Sequence, residues 1–137
     1  MPSRSESSRK LAALLLRKAA QDEYVVAKLI GDPDSPEEII GFHVQQAVEK
    51  MLKAVLSSRG VRFRKTHDLV ELIDLLREHG IPFPGELEDI RQLTPFATEF
   101  RYDEFLVEPE RPVDRSLFQT YLTTTRAWAE TMVECQG

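Results

Sequence analysis

Amide, carboxylate and ammonium side chains recur along one side of the segment FHVQQAVEKMLKAVL, residues 42–56. At about 100° per residue, a helix would place the main polar side chains of this segment within one arc. We call these four residues the polar stripe: Gln46, Glu49, Lys50 and Lys53. Groups of these types can hold a phosphate-bearing ligand, or they can neutralise one another.

Two interpretations of the polar stripe remain open. In the first, it is a solvated face whose members pair at i, i+4 spacing, which stabilises an isolated helix by only about a few tenths of a kcal/mol. In the second, it faces a partner subunit or a small polar pocket completed by Asp22, His67 and Arg101. Asp22 projects into the apolar arc of its own helix, so its carboxylate must either pair with another group or lie at an edge of the core.

A run of cations follows this helix, in the sequence RGVRFRK. Arg59, Arg62, Arg64 and Lys65 lie close together, with Phe63 between them. Such a run can contact phosphate, and an interleaved aromatic residue is found in some nucleic-acid patches. The alternative is a solvated loop whose cations cover the carboxyl end of a helix.

The overall composition limits the classes of function. A formal net charge of −5 argues against a protein that binds nucleic acid with its whole surface. The longest apolar run, Leu11–Leu16, is too short to cross a membrane, and the polar start MPSRSESSRK does not predict secretion. Cys135 is the single cysteine, and a lone thiol is typical of the reducing cytoplasm. We therefore expect a cytoplasmic protein with no membrane partner.

Metal and cofactor signatures are missing from the sequence. His43, His67 and His79 show no metal-ligand spacing, and no glycine-rich phosphate loop is present. We expect no metal site and no cofactor, while a nucleotide ligand remains open.

Periodicity predicts helices throughout and no strand, because polar–apolar alternation never persists. The predicted helices span Ser7–Ile30, Ser35–Ser58, Thr66–His79, Gly85 to about Leu93, and a last helix capped by Asp114. Thr94-Pro95 is expected to break or kink the fourth helix, and residues 103–113 to form an extended connection. The fold class is therefore an all-α, up-and-down bundle of four to five helices, in a single domain over residues 1–137.

Local signals place the helix ends and the buried faces. Ser35, Pro36 and Glu38 match a capping box, Thr66 can cap the third helix, and Gly60 can end the second. In the first helix the predicted core residues are Leu11, Leu15, Val25, Val26 and Leu29. In the second they are Ile40, Val44, Ala47, Val48, Met51, Ala54 and Val55.

Four blocks of the sequence, in this order, resemble the HEPN family of small helical domains, named for a proposed nucleotide-binding role. The blocks are AAQDEYVVAKLI, FHVQQAVEKMLKAVL, KTHDLVELIDLL and LTPFATEFRYDE. Asp22 matches the acidic residue that follows alanines in the family's first helix, and the second block matches a Gln-Gln-Ala-x-Glu-Lys-x-x-Lys run. Arg101-Tyr102 corresponds to the family's late Arg-Tyr, and His67-Asp68 to its His-Asp-Leu.

The resemblance implies a helical bundle that is usually a homodimer. Members of this type are commonly encoded beside a minimal nucleotidyltransferase, and some of these pairs act as toxin–antitoxin systems. The site that the resemblance and the polar stripe together indicate comprises Asp22, Gln46, Glu49, Lys50, Lys53, His67, Asp68, Arg101 and Tyr102.

Toxic members of the family resemble metal-independent ribonucleases, with an Arg, four to six residues, a His, and usually a Tyr two positions later. In such a pair the His can take the 2′-hydroxyl proton while the Arg stabilises the charged phosphorane. Arg101 has no histidine at this spacing, so the motif is missing from its expected place. Arg62 and His67 fit the spacing, but they precede the third helix, and Leu69 stands where the Tyr would be.

Milder roles are open for the same residues. His67 or Asp68 can cap the third helix, and Arg101-Tyr102 can lock the late segment onto Asp22 or Glu49. We interpret the chain as a non-catalytic HEPN partner subunit of a minimal nucleotidyltransferase. The alternatives are an RNA-cleaving toxin that uses Arg62 and His67, and a module in which the stripe lysines and Arg101 hold a nucleotide phosphate.

Overall fold

The computed structural model describes residues 4–97 and 115–134 of the chain. Over these residues it has four α-helices: α1 (Arg4–Leu29), α2 (Glu37–Ser58), α3 (Leu69–Glu78) and α4 (Arg115–Glu134). A 3-10 helix, Gly85–Ala97, lies between α3 and α4. The described residues contain no strand, so the predicted all-α bundle is confirmed.

Helix α2 is the centre of the bundle and contacts all four other helices. It runs antiparallel to α1, because Ser57 near its end bonds Ser8 near the start of α1, and Lys50 bonds Asp22 further along. From Ala47 to Ser58, every residue of α2 except Lys50 is buried. The predicted core face of α2 is confirmed, since Ile40, Val44, Ala47, Val48, Met51, Ala54 and Val55 are all fully buried.

Helix α1 buries a different row of side chains from the one predicted. Ala12, Ala19 and Val26 are fully buried, whereas Leu11 is 41% exposed. The other predicted core residues of this helix, apart from Val26, are half-buried. Residues seven apart share a line on a helix, and the two alanines allow the α1 backbone to approach α2 closely. The larger aliphatic side chains therefore lie at the flanks of the contact.

The predicted capping box at the start of α2 is wrong. The N-cap position is Pro36, in an extended conformation, and no side chain caps the helix. The backbone N–H of Ser35 donates to the carbonyl of Asp32, at 3.1 Å, and the Ser35 carbonyl accepts from Arg115. The backbone of Ser35 therefore belongs to the turn that joins α1 to α2. With Ser35 as the predicted N-cap and Pro36 as the predicted first residue, the helix begins one residue later than predicted, at Glu37.

Helix α3 also begins later than predicted, at Leu69 and not at Thr66. Its N-cap is Asp68, whose carboxylate accepts from the Val70 N–H at 2.9 Å. The Thr66 hydroxyl accepts from the Asp68 N–H at 3.1 Å, a bond that lies in the loop before the helix. Of the three candidate caps for this helix, which are Thr66, His67 and Asp68, the prediction for Asp68 is confirmed.

The fourth predicted helix is a 3-10 helix, and it continues through Pro95 to Ala97. Of the break or kink predicted at Thr94-Pro95, the break is therefore wrong. A proline fixes φ near −65°, a value that 3-10 geometry accepts. Gly60 follows α2 with φ of 70°, as predicted, and Gly80 follows α3 with φ of 67°.

Several predictions fall outside the described residues: the roles of Arg101 and Tyr102, the Asp114 cap, the extended connection over 103–113, and Cys135. In the part of the chain that the structure describes, no helix combines the length and apolar character needed to cross a membrane.

Candidate functional site

The carboxylate of Asp22 lies between α1 and α2 and binds two side chains of α2. Its Oδ2 accepts from Lys50 Nζ at 2.6 Å, and its Oδ1 lies 3.0 Å from Nδ1 of His43. The Asp22 side chain is only 13% exposed. Of the two outcomes predicted for Asp22, pairing is confirmed, and its partners come from the polar face of α2.

The carboxylate of Glu49, next to Lys50 in the sequence of α2, forms a second centre. Lys53 Nζ donates to its Oε2 at 2.9 Å, and Nδ1 of His67 lies 2.8 Å from its Oε1. Glu49 is 3% exposed and Lys53 is 9% exposed. Burying these charges is tolerable because each is paired and hydrogen-bonded.

Gln45 completes the Glu49 centre, and sequence reasoning missed it as a site residue. It is fully buried, and its Nε2 donates to Glu49 Oε1 at 3.2 Å and to the His67 carbonyl at 3.0 Å. Its Oε1 accepts from Gln46 Nε2 at 2.7 Å. The signal was available, because Gln45, Glu49 and Lys53 continue one i, i+4 row of the helix.

The polar stripe therefore faces the protein's own α1 and the loop before α3. We call the two centres together the polar cluster: Asp22, His43 and Lys50 in one, and Gln45, Gln46, Glu49, Lys53 and His67 in the other. The interpretation of the stripe as a solvated face is wrong, because Glu49 and Lys53 are buried, although the i, i+4 pair that it included between these two residues is present. A pocket-like cluster that includes Asp22 and His67 matches the second interpretation, with Arg101 outside the described residues.

The imidazole of His67 is held on one side by a carboxylate and is exposed to solvent on the other. Its side chain is 59% exposed, while Nδ1 contacts the buried Glu49 carboxylate. The ring does not cap α3, so that alternative is wrong for His67. When the Nδ1 proton is held by a carboxylate, a neutral imidazole presents Nε2 as an acceptor, which is the arrangement of an oriented general base.

Arg62 lies at a different place from His67. It is exposed and lines a cavity beside Ser57, whereas His67 binds Glu49. Glu49 and Ser57 are separated by about two turns of α2, or ~12 Å along the axis. The structure therefore does not bring the two candidate catalytic residues into contact. Asp68 is likewise outside the polar cluster, because its carboxylate caps α3.

The basic loop is partly neutralised within the chain. Arg64 donates to Glu71, and this bond, together with a bond from Thr66, holds the pKa of the Glu71 carboxyl below its ordinary value. Arg59 reaches the Met132 carbonyl at 3.5 Å. Phe63 packs below Lys53, with Nζ 5.7 Å from the ring centroid. The loop is therefore anchored to α2, α3 and α4 rather than being an unattached basic arm.

A comparison with protein-family models gives one finding. Residues 12–135 match the model of the HEPN domain, which is about nine-tenths of the chain. No curated protein and no solved structure matches the chain significantly. The four sequence blocks, the all-α bundle and this match agree, and the chain belongs to the HEPN domain family.

Proposed function

We propose that this chain is the helical, non-catalytic partner subunit of a minimal nucleotidyltransferase, in a toxin–antitoxin-like pair. Membership of the HEPN family supports this role. The observation that carries it is the internal neutralisation of the polar cluster, where Lys50 binds Asp22 at 2.6 Å and Lys53 binds Glu49 at 2.9 Å. The charges of the two lysines and the two carboxylates neutralise each other. Such pairs are suited to holding helices in place rather than to catalysing a reaction.

The same pairing argues against the use of the polar stripe to hold a nucleotide phosphate. A phosphate would have to displace Asp22 from Lys50, or Glu49 from Lys53. Displacing Glu49 would leave a carboxylate that is only 3% exposed without its cation. Removing one partner from a buried pair costs about 3–5 kcal/mol, which is a large fraction of the binding energy of a small ligand.

The proposal predicts that a minimal nucleotidyltransferase is encoded beside this chain, and coexpression of the two proteins tests it. We expect the two proteins to copurify and to elute together in size-exclusion chromatography. A nucleotidyltransferase taken from an unrelated pair is the matched control, and it should elute separately. Separate elution of the native pair would contradict the proposed role.

The proposal includes a homodimer and a cytoplasmic location. Sedimentation equilibrium is expected to give twice the 15.7 kDa mass of one chain. The mass of a single chain at all micromolar protein concentrations would contradict the dimer. The copurification experiment would still test the partnership separately.

A second candidate function is metal-independent RNA cleavage by His67. The observation that favours it is the Glu49–His67 contact at 2.8 Å, which orients an exposed imidazole as a base would be oriented. Arg62 would have to reach the same phosphate from its position about two turns of α2 away. This geometry favours the non-catalytic role.

Growth and RNA integrity after expression separate the two candidates. Cleavage by His67 predicts growth arrest on expression and RNA cleavage in vitro that persists in the presence of a chelator. Both effects should be abolished by His67→Ala. His79→Ala is the matched control, because His79 is also exposed and lies at the end of α3. Normal growth with intact RNA, or equal effects of the two variants, would remove this candidate.

A further inference from the structure

An open cavity of about 390 Å³ lies between the start of α1 and the loop that follows α2. It lies near the C-terminal end of α2, where Ser57 in its lining is about two turns beyond Glu49. The residues that matter for its chemistry are Ser7, Leu11, Ser57, Val61, Arg62 and Phe63. None of these belongs to the polar cluster.

One wall of the cavity is apolar and reaches solvent. Leu11 is 41% exposed, while Val61 and Phe63 are half-buried. The Phe63 ring is held by Lys53, whose ammonium lies 5.7 Å from the ring centroid and is itself fixed by Glu49. The wall is therefore a preformed apolar surface beside an aromatic ring, of the kind that binds the body of a small molecule.

The other side of the cavity is polar and carries one cation. Ser57 Oγ donates to the Ser8 carbonyl at 2.9 Å, so its lone pairs remain available to a donor from a ligand. Arg62 is exposed and has no carboxylate partner among the described residues, in contrast to Arg64, which is paired with Glu71. A guanidinium is suited to binding a carboxylate or phosphate through two parallel hydrogen bonds.

We propose that this cavity is a binding site for a small organic anion that has an apolar, preferably aromatic, body. The anionic group binds Arg62, and the body packs against Leu11, Val61 and Phe63. The volume lies at the lower end of the range for small-molecule sites, so the ligand is a single small molecule rather than a polymer. The lining of this site contains no residue of the polar cluster, although Phe63 contacts Lys53 of that cluster, and the site does not depend on partnership with a nucleotidyltransferase.

A probe series tests the two halves of this chemistry. Phenyl phosphate and phenylacetate combine an anion with a ring, inorganic phosphate has only the anion, and benzyl alcohol has a ring without the charge. In ¹H–¹⁵N spectra of the full chain, we expect at least one of the first two probes to give saturable shifts at Ser7, Ser8, Gly60 and Val61. Inorganic phosphate and benzyl alcohol should each bind at least about tenfold more weakly, because each lacks one of the two contributions.

Three variants locate the binding. Arg62→Gln should weaken the affinity at least about tenfold, since a charge-assisted hydrogen bond is lost. Lys65→Gln is the matched control from the same loop, because Lys65 is exposed and does not line the cavity. Ser7→Trp, at an exposed position of α1, should occupy the cavity and abolish binding while the remaining spectrum is preserved.

The proposal is overturned by either of two results. One is the absence of saturable shifts at these amides with both ring-bearing anions. The other is an equal loss in Arg62→Gln and Lys65→Gln, which would show only general attraction to the basic loop. Both results would leave the copurification test of the nucleotidyltransferase partnership unaffected.

Discussion

The imidazole Nδ1 of His67 lies 2.8 Å from Oε1 of Glu49, a residue that is 3% exposed. This contact joins the loop before α3 to the central helix of the bundle. The same carboxylate binds Lys53 at 2.9 Å, so one buried charge fixes an ammonium, an imidazole and the loop that carries it. The stability of this part of the fold should therefore depend on the Glu49 charge.

Glu49→Gln is expected to destabilise the protein by about 2–4 kcal/mol, because it leaves Lys53 buried without a counter-charge. Urea unfolding at neutral pH measures the change. The double variant Glu49→Gln/Lys53→Met should recover at least half of the loss, since both charged partners are then absent. A cost below about 1 kcal/mol for the single variant would show that the pair is effectively solvated.

The exposed pair between Arg64 and Glu71 provides the contrast. Its arginine side chain is 75% exposed, so solvent competes for both charges. Arg64→Gln is expected to leave the unfolding midpoint in urea almost unchanged. A loss of stability comparable to that of Glu49→Gln would contradict the expectation that the buried pair contributes more than the exposed one.

Arg115, the first residue of α4, holds the turn between α1 and α2. Its guanidinium donates to the carbonyls of Asp32 at 2.8 Å, Ser35 at 2.5 Å and Ile30 at 3.4 Å. Arg115→Met removes these charge-assisted bonds and is expected to cost about 1–3 kcal/mol. Hydrogen exchange should accelerate in residues 30–36 more than in α3.

Arg17→Met is the control for Arg115, because Arg17 is exposed on α1 and takes part in no ion pair among the described residues. It should leave both stability and exchange unchanged. Uniform acceleration of exchange over the whole bundle in Arg115→Met would indicate global destabilisation. It would contradict a local role of Arg115 in holding the turn between α1 and α2.

Gly41 lies where the aromatic ring of Phe96 approaches α2. A Cβ at Gly41 would lie 2.8 Å from Phe96 Cγ and closer still to two other ring carbons. The ring is also edge-on to Phe118, with centroids 5.8 Å apart, so it cannot move freely. Gly41→Ala is therefore expected to destabilise the protein by about 1–3 kcal/mol, although alanine favours a helix by about 0.5–1 kcal/mol.

Two further variants test the steric explanation for Gly41. Gly31→Ala is the matched control, because nothing lies within 4 Å of a Cβ at that position, and we expect little change. Phe96→Leu combined with Gly41→Ala should be more stable than the sum of the single changes predicts. Simple additivity would show that the cost does not come from this contact.

Burial, with a smaller contribution from the charge of Asp89, raises the pKa of Tyr121 above its ordinary value of 10.0. Above pH 10 the unfolded chain therefore loses this proton more readily than the folded chain, so stability falls as pH rises. The difference in unfolding free energy between wild type and Tyr121→Phe should be constant up to about pH 9 and shift against wild type above pH 10. Urea unfolding at pH 8 to 10.5 measures it, and a constant difference over this range would contradict the prediction.

Much of the fold follows from the periodicity of the sequence. The apolar positions of α2 repeat at helical spacing, so every residue predicted for its core face is fully buried, although the helix also buries residues outside that face, such as Leu52 and Leu56. Asp22 was also identified from the pattern alone, since a carboxylate beside apolar neighbours has to be paired or to lie at an edge of the core. Local chemistry was less reliable at the helix ends, where Ser35 is drawn into the turn held by Arg115 and Asp68 takes the capping role.

The sequence by itself determined the helices, the core face of α2 and the unfavourable position of an unpaired carboxylate at Asp22. Only the tertiary structure decided that Glu49 and Lys53 are buried, that Gln45 belongs with them, and that Arg62 and His67 lie apart. The physical reason is that periodicity reports which side of one helix avoids water. It does not report which other segment covers the polar side, because that depends on how closely α1 and the loop before α3 approach α2.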